Sequence, residues 1–141
     1  MHKALGDSQL AIDFYRKSLA IKTRLFRSDP DNPYFARDMS ICHNQLGTME
    51  KAFGNVPAAA AHFLQALGIR ERLFASAPEN AQFASDRCMS YGNLASVTVG
   101  DEQLAWWKKA HDAYCKMQTQ GLLNATDEKR MTEAKVKLGL A

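Results

Sequence analysis

Residues 19–30 read LAIKTRLFRSDP and residues 67–78 read LGIRERLFASAP, almost the same twelve residues written twice, 48 positions apart. A duplication of this length constrains the fold more than any other feature of the chain. A helical hairpin buries only part of its apolar surface alone and buries the rest against a copy of itself, so a long internal period points to a stacked array. The match extends well beyond the quoted stretch. Comparing residues 6–46 with 54–94, identities fall at Gly6/Gly54, Ala11/Ala59, Leu19/Leu67, Ile21/Ile69, Arg24/Arg72, Leu25/Leu73 and Phe26/Phe74. They continue at Ser28/Ser76, Pro30/Pro78, Asn32/Asn80, Phe35/Phe83, Ala36/Ala84, Asp38/Asp86 and Leu46/Leu94. A weaker third copy opens at Gly100, where GDEQLA echoes GDSQLA at 6–11.

Each period divides into two helical patterns. Leu10, Phe14, Leu19, Leu25 and Phe26 recur at spacings compatible with a 3.6-residue period and predict an apolar helix face over 9–27. Asp29-Pro30 and Pro33 end that run. Phe35, Met39, Cys42 and Leu46 then step by four, three and four, which predicts a second helix over 34–51. Gly54, Asn55 and Pro57 close it and open the next. The same signals predict helices near 56–75, 80–98, 101–119 and 125–138, the last with Thr126 as its cap. No segment alternates as a strand would. The expectation is an all-α chain of about six helices in antiparallel hairpins, one domain over 1–141 with repeats near 6–53, 54–99 and 100–141. Gly47, Gly68 and Gly92 lie inside these helices and predict close helix approaches.

Leu46-Gly47 in one helix and Ala59-x3-Phe63-x2-Ala66 in its partner resemble the tetratricopeptide repeat superfamily, in a long-period form like that of kinesin light chains. The resemblance covers residues 6–120. In the second copy Leu94-Ala95 replaces Leu-Gly, Gly100 and Ala105 follow, and Lys109 stands where an aromatic is expected. Trp106 and Trp107 supply bulk one turn earlier. The resemblance implies a right-handed α-solenoid that binds protein or peptide on its concave face without catalysis. The face it assigns carries Asn44, Thr48 and Lys51 on one helix and Asn93, Ser96 and Val99 on the next, with Asn44 and Asn93 suited to a peptide main chain. The alternative is a structural or self-assembling segment of a larger array or homo-oligomer.

The repeated Arg24 and Arg72 are expected to reach Asp38 or Asp86 across a hairpin and hold its register. Phe26 and Phe74, two positions further on, are expected to be buried between repeats. Cys42-His43 is the one Cys–His neighbour pair, and adjacent helical residues point about 100° apart, which disfavours catalysis. Four His show no HxxxH or HExxH spacing, so no metal or other cofactor is expected. Three Cys, an odd number without CxxC, argue against a disulfide framework or a zinc knuckle. The net charge of +3 is spread along the chain, so nucleic acid is not an expected partner. No apolar run is long enough to cross a membrane, and MHKALGD does not read as a signal peptide, so a cytoplasmic setting is expected.

Overall fold

The structure, a computed structural model, describes residues 2–140. Among them every regular element is a helix and none is a strand. In chain order they are α1 (His2–Ser28), α2 (Pro33–Ala52), α3 (Val56–Ser76), α4 (Ala81–Ala95), α5 (Gly100–Thr119) and α6 (Ala125–Lys137). Helix α1 runs straight through Gly6, where the sequence suggested a repeat boundary. No helix among the described residues is long and apolar enough to cross a membrane.

The duplication reappears bond by bond in the two turns that carry it. After α1, Asp29 N donates to Leu25 O and Phe26 O, and Asn32 N donates to Asp29 O. After α3, Ala77 N donates to Leu73 O and Phe74 O, and Asn80 N donates to Ala77 O. Ser28 Oγ and Ser76 Oγ donate to the Leu25 and Leu73 carbonyls at 2.6 and 2.7 Å. Asn32 and Asn80 then cap the following helices with φ/ψ of −76/110° and −76/111°. Each side chain accepts an orphan N–H of the first turn, Phe35 N and Phe83 N respectively. Pro33 sits in the first turn of α2, where its missing N–H has no cost.

The chain divides into two compact units between Ile69 and Arg70, inside α3. In the first unit α1 packs on α2 around Ile12, Cys42 and Leu46, flanked by Tyr15, Leu19 and Met49. This corrects the face expected of α1. Leu19 does face the core, but Leu10, Phe14 and Leu25 are exposed. The core positions Ile12, Tyr15 and Leu19 follow a different 3.6-residue line on the same helix. Phe63 of α3 closes the unit by lying over Gly47. The two halves of the Leu46-Gly47 and Ala59-x3-Phe63 pattern therefore meet. Gly68, by contrast, has open space around it.

In the second unit α5 packs on both α4 and α6. Cys88, Leu94, Ala110, Tyr114, Met117 and Ala134 are among its buried side chains. Helix α4 ends at Ala95, three residues short of expectation. Polar side chains take its last carbonyls: Ser96 Oγ donates to Asn93 O, Thr98 Oγ1 to Leu94 O and Gln103 Nε2 to Ala95 O. Helix α6 is capped by Asn124, not Thr126. Asn124 Oδ1 accepts from Asp127 N at 2.7 Å, and Asp127 Oδ2 accepts from Asn124 N at 3.3 Å, a reciprocal capping box. The other carboxylate oxygen of Asp127 accepts from Ser85 Oγ of α4 at 2.6 Å, which ties the start of α6 to α4.

Candidate functional site

The polar positions expected to meet a peptide lie on α2 and α4, or just past their ends. Asn44 and Asn93 are half-buried, Thr48 and Ser96 are exposed, and Lys51 is exposed in the last turn of α2. Both hydroxyls turn back on their own helix: Thr48 Oγ1 donates to Asn44 O at 3.0 Å and Ser96 Oγ to Asn93 O at 2.6 Å. Val99 lies beyond the end of α4 and is exposed.

The arginine that reaches across to α4 is not Arg72 but Arg70, two residues earlier. Its side chain is fully buried, and Nη1 donates to Ser90 Oγ at 2.9 Å and to Asp86 O at 3.3 Å. Asp86 Oδ1 accepts from Gln82 Nε2 at 2.9 Å. Arg72 is exposed, and so is Arg24, which lines an open surface groove on α1. Two residues turn a helix by about 200°, so Arg70 and Arg72 cannot share a face. In the first copy Lys22 occupies the register of Arg70.

Phe26 and Phe74 are half-buried rather than enclosed. The face of Phe74 carries the Arg87 guanidinium, 3.7 Å from the ring centroid. From there a ladder of cations and rings runs across the second unit. Arg87 is 5.8 Å from the Tyr91 ring, Tyr91 stacks on Trp106 at 6.1 Å and 27°, and Lys109 Nζ lies 5.4 Å from the Trp106 centroid. Trp107 packs beside Gly92, so both tryptophans meet α4. Lys109, the departure from the aromatic pattern, is one end of this ladder. Sequence reading noticed Trp106 and Lys109 but could not join them to Arg87. The i, i+4 spacing of Arg87 and Tyr91 marks only the α4 part of the ladder and does not reach Trp106 or Lys109 on α5.

The ladder borders a cleft of about 190 Å³ between α4 and α5, lined by Arg87, Tyr91, Lys109, Asp112, Ala113 and Lys116. Three cations face one carboxylate. Lys109 and Lys116 are two helical turns apart on one face of α5, with Asp112 between them. Arg87 Nε has no hydrogen-bond partner although it is buried. Burial is the main cause that raises the Tyr91 hydroxyl above its ordinary pKa, so Tyr91 stays a neutral hydrogen-bond donor. The cleft lies on a different side of α4 from Asn93 and Ser96.

Two polar clusters remain. In the first unit, His43 Nδ1 and His62 Nδ1 stand 3.1 Å apart, sharing one hydrogen when both rings are neutral. Buried Glu50 pairs with Arg16 at 2.9 Å, and both charges act on His62. Burial, with His62 second, lowers the His43 pKa to about 4. In the second unit His111 Nε2 lies 3.6 Å from Cys115 Sγ, an i, i+4 pair that the sequence reading did not single out. Burial raises the Cys42 thiol and pushes Cys88 up to about 12, so both remain protonated at neutral pH. Among the described residues no group of three His, Cys, Asp or Glu is placed to hold a metal ion.

Compared with protein-family models and with curated proteins, the chain matches none.

Proposed function

We propose that this chain is a protein- or peptide-binding module rather than a catalyst, of the tetratricopeptide-like type with the right-handed solenoid that resemblance implies. We place an acidic segment of the partner in the α4–α5 cleft. The observation that carries the reading is Arg87. Phe74 carries its guanidinium 3.7 Å from the ring centroid, its Nε is unpaired, and two further cations share its cleft. A planar guanidinium stacked on a ring keeps its N–H edge for a carboxylate, and holding it in place beforehand lowers the entropy lost on binding. Tyr91 adds a neutral donor. The meeting of Gly47 with Phe63 supports the family resemblance, because it joins the two halves of the motif.

The test is fluorescence anisotropy with synthetic peptides of matched length carrying acidic, neutral or basic residues. Acidic peptides should bind, and added salt should weaken them. Arg87→Ala should weaken binding by about 10- to 150-fold, the range of a charge-assisted hydrogen bond. Arg87→Lys should recover only part of it, because the fork is lost. Asn44→Ala and Asn93→Ala test the polar stripe, and a loss there with Arg87→Ala silent would move the site to that face. Equal binding of acidic and neutral peptides would overturn the reading of the cleft.

A further inference from the structure

Helix α1 has two apolar faces. One carries Ile12, Tyr15 and Leu19 into the core of the first unit. The opposite face carries Leu10, Phe14, Ile21 and Leu25, which are 68, 63, 56 and 43% exposed. At about 100° per residue these four side chains fall within roughly 60° of one another, a stripe about 22 Å long. Scattered exposed hydrophobics need no explanation, but four aligned on one helix face mark an interaction surface. A helix that is apolar on both sides is normally covered on both.

The internal repeat indicates what kind of element covers such a face. His62 occupies in α3 the register of Phe14 in α1, and its ring lies 5.3 Å from that of His43 on α2. Leu73 occupies the register of Leu25 and is buried. In the second copy, then, this register meets a helix at His62 and is buried at Leu73.

We infer that the exposed stripe of α1 is the interface of a symmetric homodimer, in which α1 pairs antiparallel with α1 of a second copy. The spacing is its own complement. Leu10 and Leu25 are equidistant from the midpoint between Lys17 and Ser18, and so are Phe14 and Ile21. An antiparallel two-fold at that midpoint sets Leu10 against Leu25 of the second copy and Phe14 against Ile21 of the second copy. The charges on one flank fit the same arrangement. It brings Asp13 within two residues, along the axis, of Arg24 in the second copy, twice per dimer. Lys17 lies nearest the two-fold and approaches its own image, with Asp13 one turn back on its own helix to offset the charge. Such an interface uses the same patch on both copies, so it closes at two and does not propagate.

Sedimentation equilibrium of the whole chain across a wide concentration range tests this. The mass should rise from that of the 15.7 kDa monomer toward twice that value and stop there. Phe14→Glu should weaken association by about 30-fold or more, the level of an interface hot spot, with helical circular dichroism unchanged. Should Phe14→Glu disturb the fold, the charge swap decides instead: Asp13→Arg and Arg24→Asp should each weaken the dimer, and the double variant should restore it. Orientation is read by oxidative cross-linking in a Cys115→Ser background. Leu10→Cys and Leu25→Cys should link when mixed and not when alone. A monomer at every concentration overturns the proposal, whatever else covers the stripe. So do species larger than two, a dimer untouched by both Phe14→Glu and the charge reversals, and Leu10→Cys linking to itself.

Discussion

Gly47 of α2 and Phe63 of α3 meet so closely that the glycine has no room for a side chain: a Cβ there would stand 2.6 Å from Cε1 of the ring. Phe63 is only 2% exposed and cannot swing away. Gly47→Ala should therefore cost about 1–3 kcal/mol, the usual penalty of an overpacked core. Gly68→Ala is the control, since nothing lies within 4 Å of its Cβ position. It should stabilise α3 by about 0.5–1 kcal/mol, because alanine restricts the unfolded chain. Urea denaturation of both variants checks the contrast.

Arg70 and Arg72 should differ sharply although they are two residues apart. Arg70→Ala removes a buried charge that bonds Ser90 Oγ and Asp86 O. Losing the hydrogen bonds of a charged donor to buried acceptors costs about 1.5–3 kcal/mol each. Arg72→Ala changes an exposed residue and should stay within about 0.5 kcal/mol of the parent. A loss at Arg72→Ala with Arg70→Ala silent in chemical unfolding would show that the repeated arginine, not Arg70, holds α3 to α4.

Ser85 and Asp127 tie α6 to α4. Ser85→Ala leaves one carboxylate oxygen of buried Asp127 without that donor and should cost about 1.5–3 kcal/mol. Asp127→Ala should cost more, because it also removes the capping box. Amide exchange should speed up first in residues 125–137 in both variants.

The His43–His62 contact makes the fold acid-sensitive. Burial disfavours the charged ring, so the folded state binds fewer protons than the unfolded chain between pH 6.5 and about 4. The His43 contribution is complete above 6.5 and is lost as pH falls toward 4. Burial lowers His62 in the same direction. Glu50 and Arg16 face the pair. Denaturation midpoints measured across that range should fall more steeply for the parent chain than for His43→Leu. Parallel slopes would assign the acid loss to carboxylates.

Most of the local architecture was legible in the residues themselves. The turns at 28–32 and 76–80 repeat because Ser, Pro and Asn recur at fixed offsets, and each acts on backbone groups no more than four residues away. Helix type and number followed from periodicity and from Pro and Gly between the runs. Caps were less secure: Asn124 rather than Thr126 closes α6, because Asp127 three residues on answers it and is itself held by Ser85 of α4.

Sequence alone thus determined six helices and their duplicated turns, since those signals are local and act before any helix meets another. Tertiary structure decided which face of each helix matters. Leu10, Phe14 and Leu25 satisfy a helical period as well as Ile12, Tyr15 and Leu19 do, and only the position of α2 selects the second set. Arg70 rather than Arg72 is buried because Ser90 and Asp86 lie on one side of α3. The Phe74, Arg87, Tyr91, Trp106 and Lys109 ladder draws on three helices, and no spacing within one helix could reveal it. Burial and pairing depend on neighbours far away in the chain, and those neighbours exist only once the helices have packed.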